Sequence, residues 1–377
     1  MPESRNRITA ACKADDGGVF EPLEPRLLLS SGPDLAASFG SVLLNGGDAF
    51  SATVVPGDRL SVELRIENQG DQSADGELDV DLFLSLDQSL DEGADIRLLT
   101  EDYWWHDFDS GQTNSDTSTV TLPDDLEAGS YYLIWRIRPD FEIGDVNAAN
   151  NVVASTQALS VKWMFGEFGG RKVRLVVMDD DDTDLRLSLK GGVGELVPNG
   201  SGGVDMVLTG TSSTSSLTAK ADKDGDGSFS IGDLTVDSSI KSIKLQGVQV
   251  LGDVDIQGGI AKLSMGDLLS GDAHTIQIGS SSAISATSIK MGRVKNLTLT
   301  SQTILKSLTV TEWLDDDASA DVLTAPALNK LAVKGNKKLG IAGNFQADLI
   351  LAGDPLAAKT LSSAKIAGTL AQATWYV

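Results

Sequence analysis

The chain has one cysteine, Cys12, in 377 residues. No intrachain disulfide can form, so stability must come from packing, backbone pairing or bound ions. Aromatic residues are only 5% of the chain, and there are two histidines, His106 and His274. No stretch approaches the roughly 18 consecutive apolar residues of a membrane-spanning helix. No window sustains apolar residues at the i, i+3, i+4, i+7 spacing of an amphipathic helix. The Gly-x-Ser-x-Gly, His-Glu-x-x-His and phosphate-cradling Gly-Lys-Ser/Thr signatures are all missing. His274 directly precedes a short apolar strand and reads as a surface residue. These gaps remove the commonest nucleophilic, zinc and nucleotide chemistries. The expectation is a protein that is not an enzyme.

Glycine, in contrast, is plentiful at 39 residues. With the many Ser, Thr and Asp it favours short strands and tight turns. The formal net charge is −24, so a nucleic acid partner would be repelled. The charge is unevenly placed. Residues 34–160 hold 25 acidic and 5 basic residues, while 240–377 hold 11 and 13. Such a step marks a boundary between domains.

The pattern predicts an all-β fold in which an immunoglobulin-like β-sandwich is followed by a β-solenoid-like repeat domain. Residues 1–33 read as a tail whose only apolar run, Leu27–Leu29, is too short for an ordinary signal peptide. Residues 34–160 read as one sandwich. Val62, Leu64 and Ile66 alternate with charged neighbours, and so do Leu78, Val80, Leu82 and Leu84. Tyr131, Leu133, Trp135 and Ile137 share one face. Leu126-x-x-Gly129-x-Tyr131 fits a tyrosine corner, with the phenol bonded to backbone between the sheets. Residues 161–377 form the Gly/Ser-rich remainder. There "IKSIKL", "IAKLSM", "VKNLTL", "LKSLTV" and "LNKLAV" repeat one apolar-x-x-apolar-x-apolar phrase. Two or three such strands would make one coil, and stacked coils would share a continuous core. An ordinary sandwich or roll is the alternative. The final "TWYV" would cover the open end.

Two stretches resemble known families. "LEPRLLLS", residues 23–30, resembles a Leu-Glu-Pro-Arg-x-Leu-Leu motif near the N-terminus of large bacterial surface or secreted proteins, where it is connected with sorting or export. Residues 33–153, through "GDRLSVELRIENQG", "VDLFLSLDQSLDEGADIRLL", "LEAGSYYLIWRIRPD" and "NAANNVV", resemble the cell-adhesion-related CARDB family. That resemblance implies an immunoglobulin-like fold in a bacterial surface protein, with no catalytic residues to carry over. The more aromatic "DYWWHDF" at 102–108 departs from it. The repeats resemble those that accompany the same N-terminal motif in bacterial surface proteins.

The sharpest chemical signal is "DKDGDGSFSIGD", residues 222–233. Asp222, Asp224, Asp226, Ser228, Ser230 and Asp233 fall at positions 1, 3, 5, 7, 9 and 12 of a Ca²⁺ loop, and Gly227 falls at the turn position. The flanks read as strands, not the helices of an EF-hand, and a polar turn is the alternative. Asp179–Asp182 with Asp184, and Asp87, Asp91, Glu92 and Asp95, read as solvated turns. Trp104 and Trp105 are candidates to stack on a sugar ring or to plug a sheet edge. Lysines recur beside the repeat strands. They would face an anionic polysaccharide or an acidic neighbouring molecule, or serve solubility. Together these features point to an extracellular or cell-surface structural or adhesion protein stabilised by Ca²⁺. Its partner would be a cell-surface protein or a polysaccharide, with no nucleic acid and no transmembrane segment. The alternative is a polysaccharide-binding or polysaccharide-cleaving solenoid. Cleavage would need Arg293, the only arginine after Arg186, together with Asp267 and lysines in one groove.

Overall fold

A computed structural model describes residues 31–200, 203–222, 225–269, 273–353 and 359–377, and for 101–107 the backbone alone. The motif at 23–30 lies outside the described residues. The described chain is all-β, with 3-10 turns at Ala49–Ser51, Ala148–Asn150 and Lys337–Leu339. No helix among the described residues is long and apolar enough to cross a membrane.

The first module is a two-sheet sandwich. One sheet orders the strands Gly47–Asp48, Leu35–Leu44, Arg59–Asn68 and Thr113–Thr121. The other orders Thr53–Val54, Leu159–Val161, Gly129–Pro139, Ala74–Ser85 and Ile96–Phe108, with Val152–Ala154 beside Gly129–Pro139. Period-2 alternation explains the packing, because successive side chains leave opposite faces. Leu60, Val62, Leu64 and Ile66 from one sheet meet Leu78, Val80, Leu82, Leu133 and Trp135 from the other in a single core. The tyrosine corner forms: Tyr131 Oη donates to the Glu127 carbonyl at 3.2 Å. Asn68 is fully buried and closes its turn completely. Its amide donates to the Gln72 and Phe108 carbonyls, and its oxygen accepts from Asp34 N and Gly70 N.

On the outer face of the second sheet Asp81 is also fully buried, beneath Arg136, Arg138 and Arg97. Burial alone would raise this carboxyl. Hydrogen bonds from Arg136 and Thr100 and the arginine charges hold it below its ordinary value. Arg97 and Arg136 also cover the Phe83 ring, each with its guanidinium carbon 5.2 Å from the centroid. The charged layer therefore seals apolar surface as well as pairing charge.

The second core begins at Phe165 and runs to Leu351. It opens with antiparallel strands, Trp163–Phe168, Arg171–Val173, Leu175–Met178, Asp184–Lys190 and Val193–Pro198. From Val204–Thr209 and Ser216–Ala221 onward the pairing becomes parallel, giving a β-solenoid of about seven turns. Each turn places one strand on each of two long sheets. Met206, Leu234, Val254, Ile276, Leu299, Leu323, Leu349 and Trp375 stack along one. Leu217, Ile243, Leu263, Ile289, Leu308 and Leu331 stack along the other. A third, narrower face comes from the short pairs Phe229–Ile231 with Val248–Val250 and Arg293–Lys295 with Glu312–Leu314.

No turn could bury its apolar side alone; stacking supplies the core. Trp313 and Phe345 fill it near the C-terminal turns, edge to face at 5.5 Å, and Trp375 packs on Phe345 at 6.2 Å. The terminal aromatic pair forms the end strand of its sheet, with Trp375 packed against the core. Trp375–Tyr376 pairs in parallel with Asp348–Leu351 and continues the sheet, leaving Tyr376 exposed.

The modules meet closely. Asp58, buried in the sandwich, takes both Nη groups of Arg171, with Nη2 at 2.8 Å, and also accepts from Val55 N at 2.9 Å. Trp163 Nε1 donates to the Leu126 carbonyl at 3.0 Å, and Lys162 pairs with Glu195 at 3.0 Å. Between them lies a cleft of about 810 Å³, lined by Leu126, Trp163, Val176 and Phe229 and by Asp124, Asp125 and Asp179–Asp181.

Candidate functional site

The 222–233 stretch begins as a turn beside the acidic hairpin tip at 179–182. Gly225 and Gly227 take φ of 59° and 71°, the left-handed region that glycine enters without cost. Asp226 N donates to Asp181 Oδ2 at 3.0 Å, and Asp226 Oδ1 accepts from Ser228 N at 2.7 Å. Asp222 N donates to the Asp184 carbonyl, and its carboxylate pairs with Arg186 at 3.2 Å. Asp224 lies outside the described residues. The two acidic turns thus meet, a proximity that sequence spacing did not show. Burial and a hydrogen bond with Asp181 raise the Asp179 carboxyl. Bonds from Thr183 and Asp179 lower Asp181.

The second half of the stretch leaves this turn. Phe229–Ile231 is a strand, with Ser230 exposed and opposite Gln249. Asp233 accepts from Asp253 N at 2.8 Å in the next coil. Ser230 and Asp233 thus also take part in the pairing of successive coils. No group of three or more His, Cys, Asp or Glu among the described residues is placed to hold a metal ion.

Asp233 belongs to a different device, a carboxylate ladder. Asp205 Oδ1 accepts from Asp233 N at 3.0 Å, Asp233 from Asp253 N, and Asp253 from Thr275 N at 2.7 Å. Asp267 Oδ1 accepts from Arg293 N at 2.7 Å in the same manner. Asn344 and Asp348 repeat it with Thr369 N and Thr374 N. Each acid satisfies a backbone donor of the next coil where strand pairing has not yet begun. The ladder also explains the glycine before several rungs. A Cβ on Gly232, Gly252 or Gly292 would collide with the carboxylate of Asp205, Asp233 or Asp267. The sequence signal was the recurrent Gly-Asp at 232–233, 252–253 and 266–267.

Other candidates also have structural partners. Arg293 Nη2 pairs with Asp267 Oδ2 at 2.7 Å and extends a rung. His274 is not a surface residue: it is 2% exposed, and its Nδ1 lies 3.0 Å from the Gly252 carbonyl. It opens the strand His274–Ile278, which carries it into the stack, where the ring meets the preceding coil. Asp91 and Asp95 close their own loop, with Gly93 N and Asp91 N as donors, and Glu92 pairs with Arg136 and Arg97. The side chains of Trp104 and Trp105 lie outside the described residues. Asp321, which no sequence motif marked, is 3% exposed and accepts from Trp313 Nε1 at 2.7 Å. Burial pushes its carboxyl up to about 6.

No family model matches the chain, and no curated protein matches it. Among solved structures it is similar to the CARDB domain of the PF1109 protein from Pyrococcus furiosus, in complex with di-metal ions. The identity is 14%, over 35% of this chain and 94% of that one, with a TM-score of 0.24. A beta-glucosidase from Listeria innocua is similar at 14% identity over 34% of this chain and 16% of that one, TM-score 0.23. The C-terminal domain of wzt is similar at 11% identity over 34% and 77%, TM-score 0.22.

Proposed function

We propose that the chain is a non-catalytic structural or adhesive protein of the bacterial cell surface, in which a sandwich is joined to a solenoid. The observation that carries this reading is how its reactive side chains are spent. Asp205, Asp233, Asp253 and Asp267 hold backbone amides of adjacent coils, Arg293 closes on Asp267, and His274 lies against a backbone carbonyl. Groups that serve enzymes as acids, bases and cation clamps here hold coils together. The surface location rests on the sequence resemblances.

Calcium belongs to the proposal through the order of Asp222, Asp224 and Asp226 and the approach of Asp181 to Asp226. Hard oxygen donors crowded at two turns suit Ca²⁺. Calorimetric titration with Ca²⁺, with melting in chelator, tests it. Saturable heat and a higher Tm, both lost in Asp226→Ala, are expected; no heat removes the ion. The surface reading is tested by antibody labelling of intact source cells. Labelling only after permeabilisation overturns it.

A further inference from the structure

One sheet face of the solenoid contradicts the charge of the chain around it. It consists of the strands Ser216–Ala221, Ile240–Gln246, Ile260–Ser264, Ala286–Lys290, Ile304–Val310, Leu328–Val333 and Leu361–Ile366. Every one of these strands carries at least one exposed lysine, and none carries an acidic residue. The chain as a whole has 54 acidic and 30 basic residues. The strands of the opposite long sheet carry no lysine from Val204–Thr209 to Trp375–Tyr376, and show Thr, Gln and Asp instead. Lysines placed only for solubility would be spread over both faces and mixed with acids.

The parallel register turns these lysines into an array. Lys244, Ser264, Lys290, Thr309, Ala332 and Lys365 form one row across the strands. Lys262 stands between Ser242 and Ser288 in a second row. Neighbouring strands lie about 4.8 Å apart, so seven strands make a positive stripe about 30 Å long. Within the row Lys244 and Lys290 lie two strands apart and Lys290 and Lys365 three, with small residues between, which puts them about one screening length or more apart and keeps their repulsion modest. Ion pairs of lysine among the described residues involve Lys162, Lys172 and Lys295, none of them on this face.

The chemistry of the face selects its ligand. Protein interfaces are anchored by aromatic and arginine side chains and are poor in lysine; these strands have neither anchor. Single-stranded nucleic acid needs aromatic platforms for its bases, and the remaining acidic surface opposes a dense polyphosphate. A flat grid of ammonium groups and hydroxyls, repeating along one axis, fits a linear polymer with regularly spaced carboxylates. We infer that this face binds an acidic polysaccharide laid across the strands along the solenoid axis. The inference rests on the adhesive reading and names the partner.

The test titrates the full chain with polygalacturonate, its fully methyl-esterified form, and duplex DNA, at low and physiological salt. The expected result is saturable, salt-weakened binding to polygalacturonate and none to the neutral ester. The triple variant Lys262→Ser, Lys290→Ser, Lys330→Ser should lose at least tenfold in affinity. The matched variant Lys172→Ser, Lys337→Ser, Lys338→Ser should bind as the parent does. Absent binding at low salt, equal loss in both variants, or preference for DNA overturns the inference. Labelling of intact cells separates the two claims. Surface labelling without polyuronate binding defeats this face alone, whereas no surface labelling defeats the adhesive reading.

Discussion

The ladder makes a sharp prediction about Gly252 and Asp233. Substituting Asp233→Ala removes the acceptor for Asp253 N, a bond of 2.8 Å to a side-chain oxygen. Because the site is solvated, the loss is expected to be about 1 kcal/mol. Gly252→Ala acts through the same contact, since its new Cβ would strike Asp233 Oδ1. The carboxylate must swing away, so the mutant loses the bond and adds strain, for a total of about 2 kcal/mol. Once Asp233 is alanine, that clash is gone. What remains is a tight approach of 3.0 Å to Asp233 N and Gly232 C. The double mutant should therefore be more stable than the sum of the single effects allows, by about 1 kcal/mol. Denaturant unfolding of the four proteins gives the coupling, and hydrogen exchange at the Asp253 amide reports the bond directly. Effects that add within about 0.5 kcal/mol would refute the claim that glycine is there to seat the carboxylate.

Three further outcomes follow from buried charges and the module junction. Asp321 has a raised carboxyl, so its contribution is fully present below the unfolded value near 4 and is lost as pH rises through about 6. Asp321→Asn should flatten that loss, on the order of 3 kcal/mol, in unfolding measured from pH 4 to 7; an unchanged pH profile contradicts it. Asp81 has a lowered carboxyl, so its contribution is present above the unfolded value and is lost in acid. Arg136→Ala, which strips its shortest partner, should cost about 3 kcal/mol at neutral pH, and less at pH 3, by denaturant titration. Arg171→Ala breaks the pair with Asp58 and should separate sandwich and solenoid melting in calorimetry, which a single unshifted transition would contradict.

Much of the fold was readable because β-structure writes itself in period 2. Val62, Leu64 and Ile66 face the core as their alternation required, and Tyr131 bonds the Glu127 carbonyl as its motif implied. The repeat phrases marked strands that do stack, such as Ile243 on Leu263 and Leu308 on Leu331. The antiparallel entrance was not readable, since strand direction leaves no mark on alternation. His274 was misplaced because a polar ring ahead of an apolar run resembles a turn residue, whereas the strand begins at His274 itself and its burial depends on the coil before it. The ladder escaped because its partners sit one irregular coil apart, so Gly-Asp looks like ordinary turn chemistry. Asp233, which the sequence placed at position 12 of a Ca²⁺ loop, is also one of these rungs. Local spacing does not register a bond made to the next coil.

The proposed structural role requires that the protein retain its polymer without cleaving it. The most direct measurement incubates the full chain with polygalacturonate and follows retention and polymer length together over time. Saturable retention with polymer length unchanged is the predicted result. Progressive shortening of the polymer, with new chain ends accumulating in proportion to protein, would contradict it.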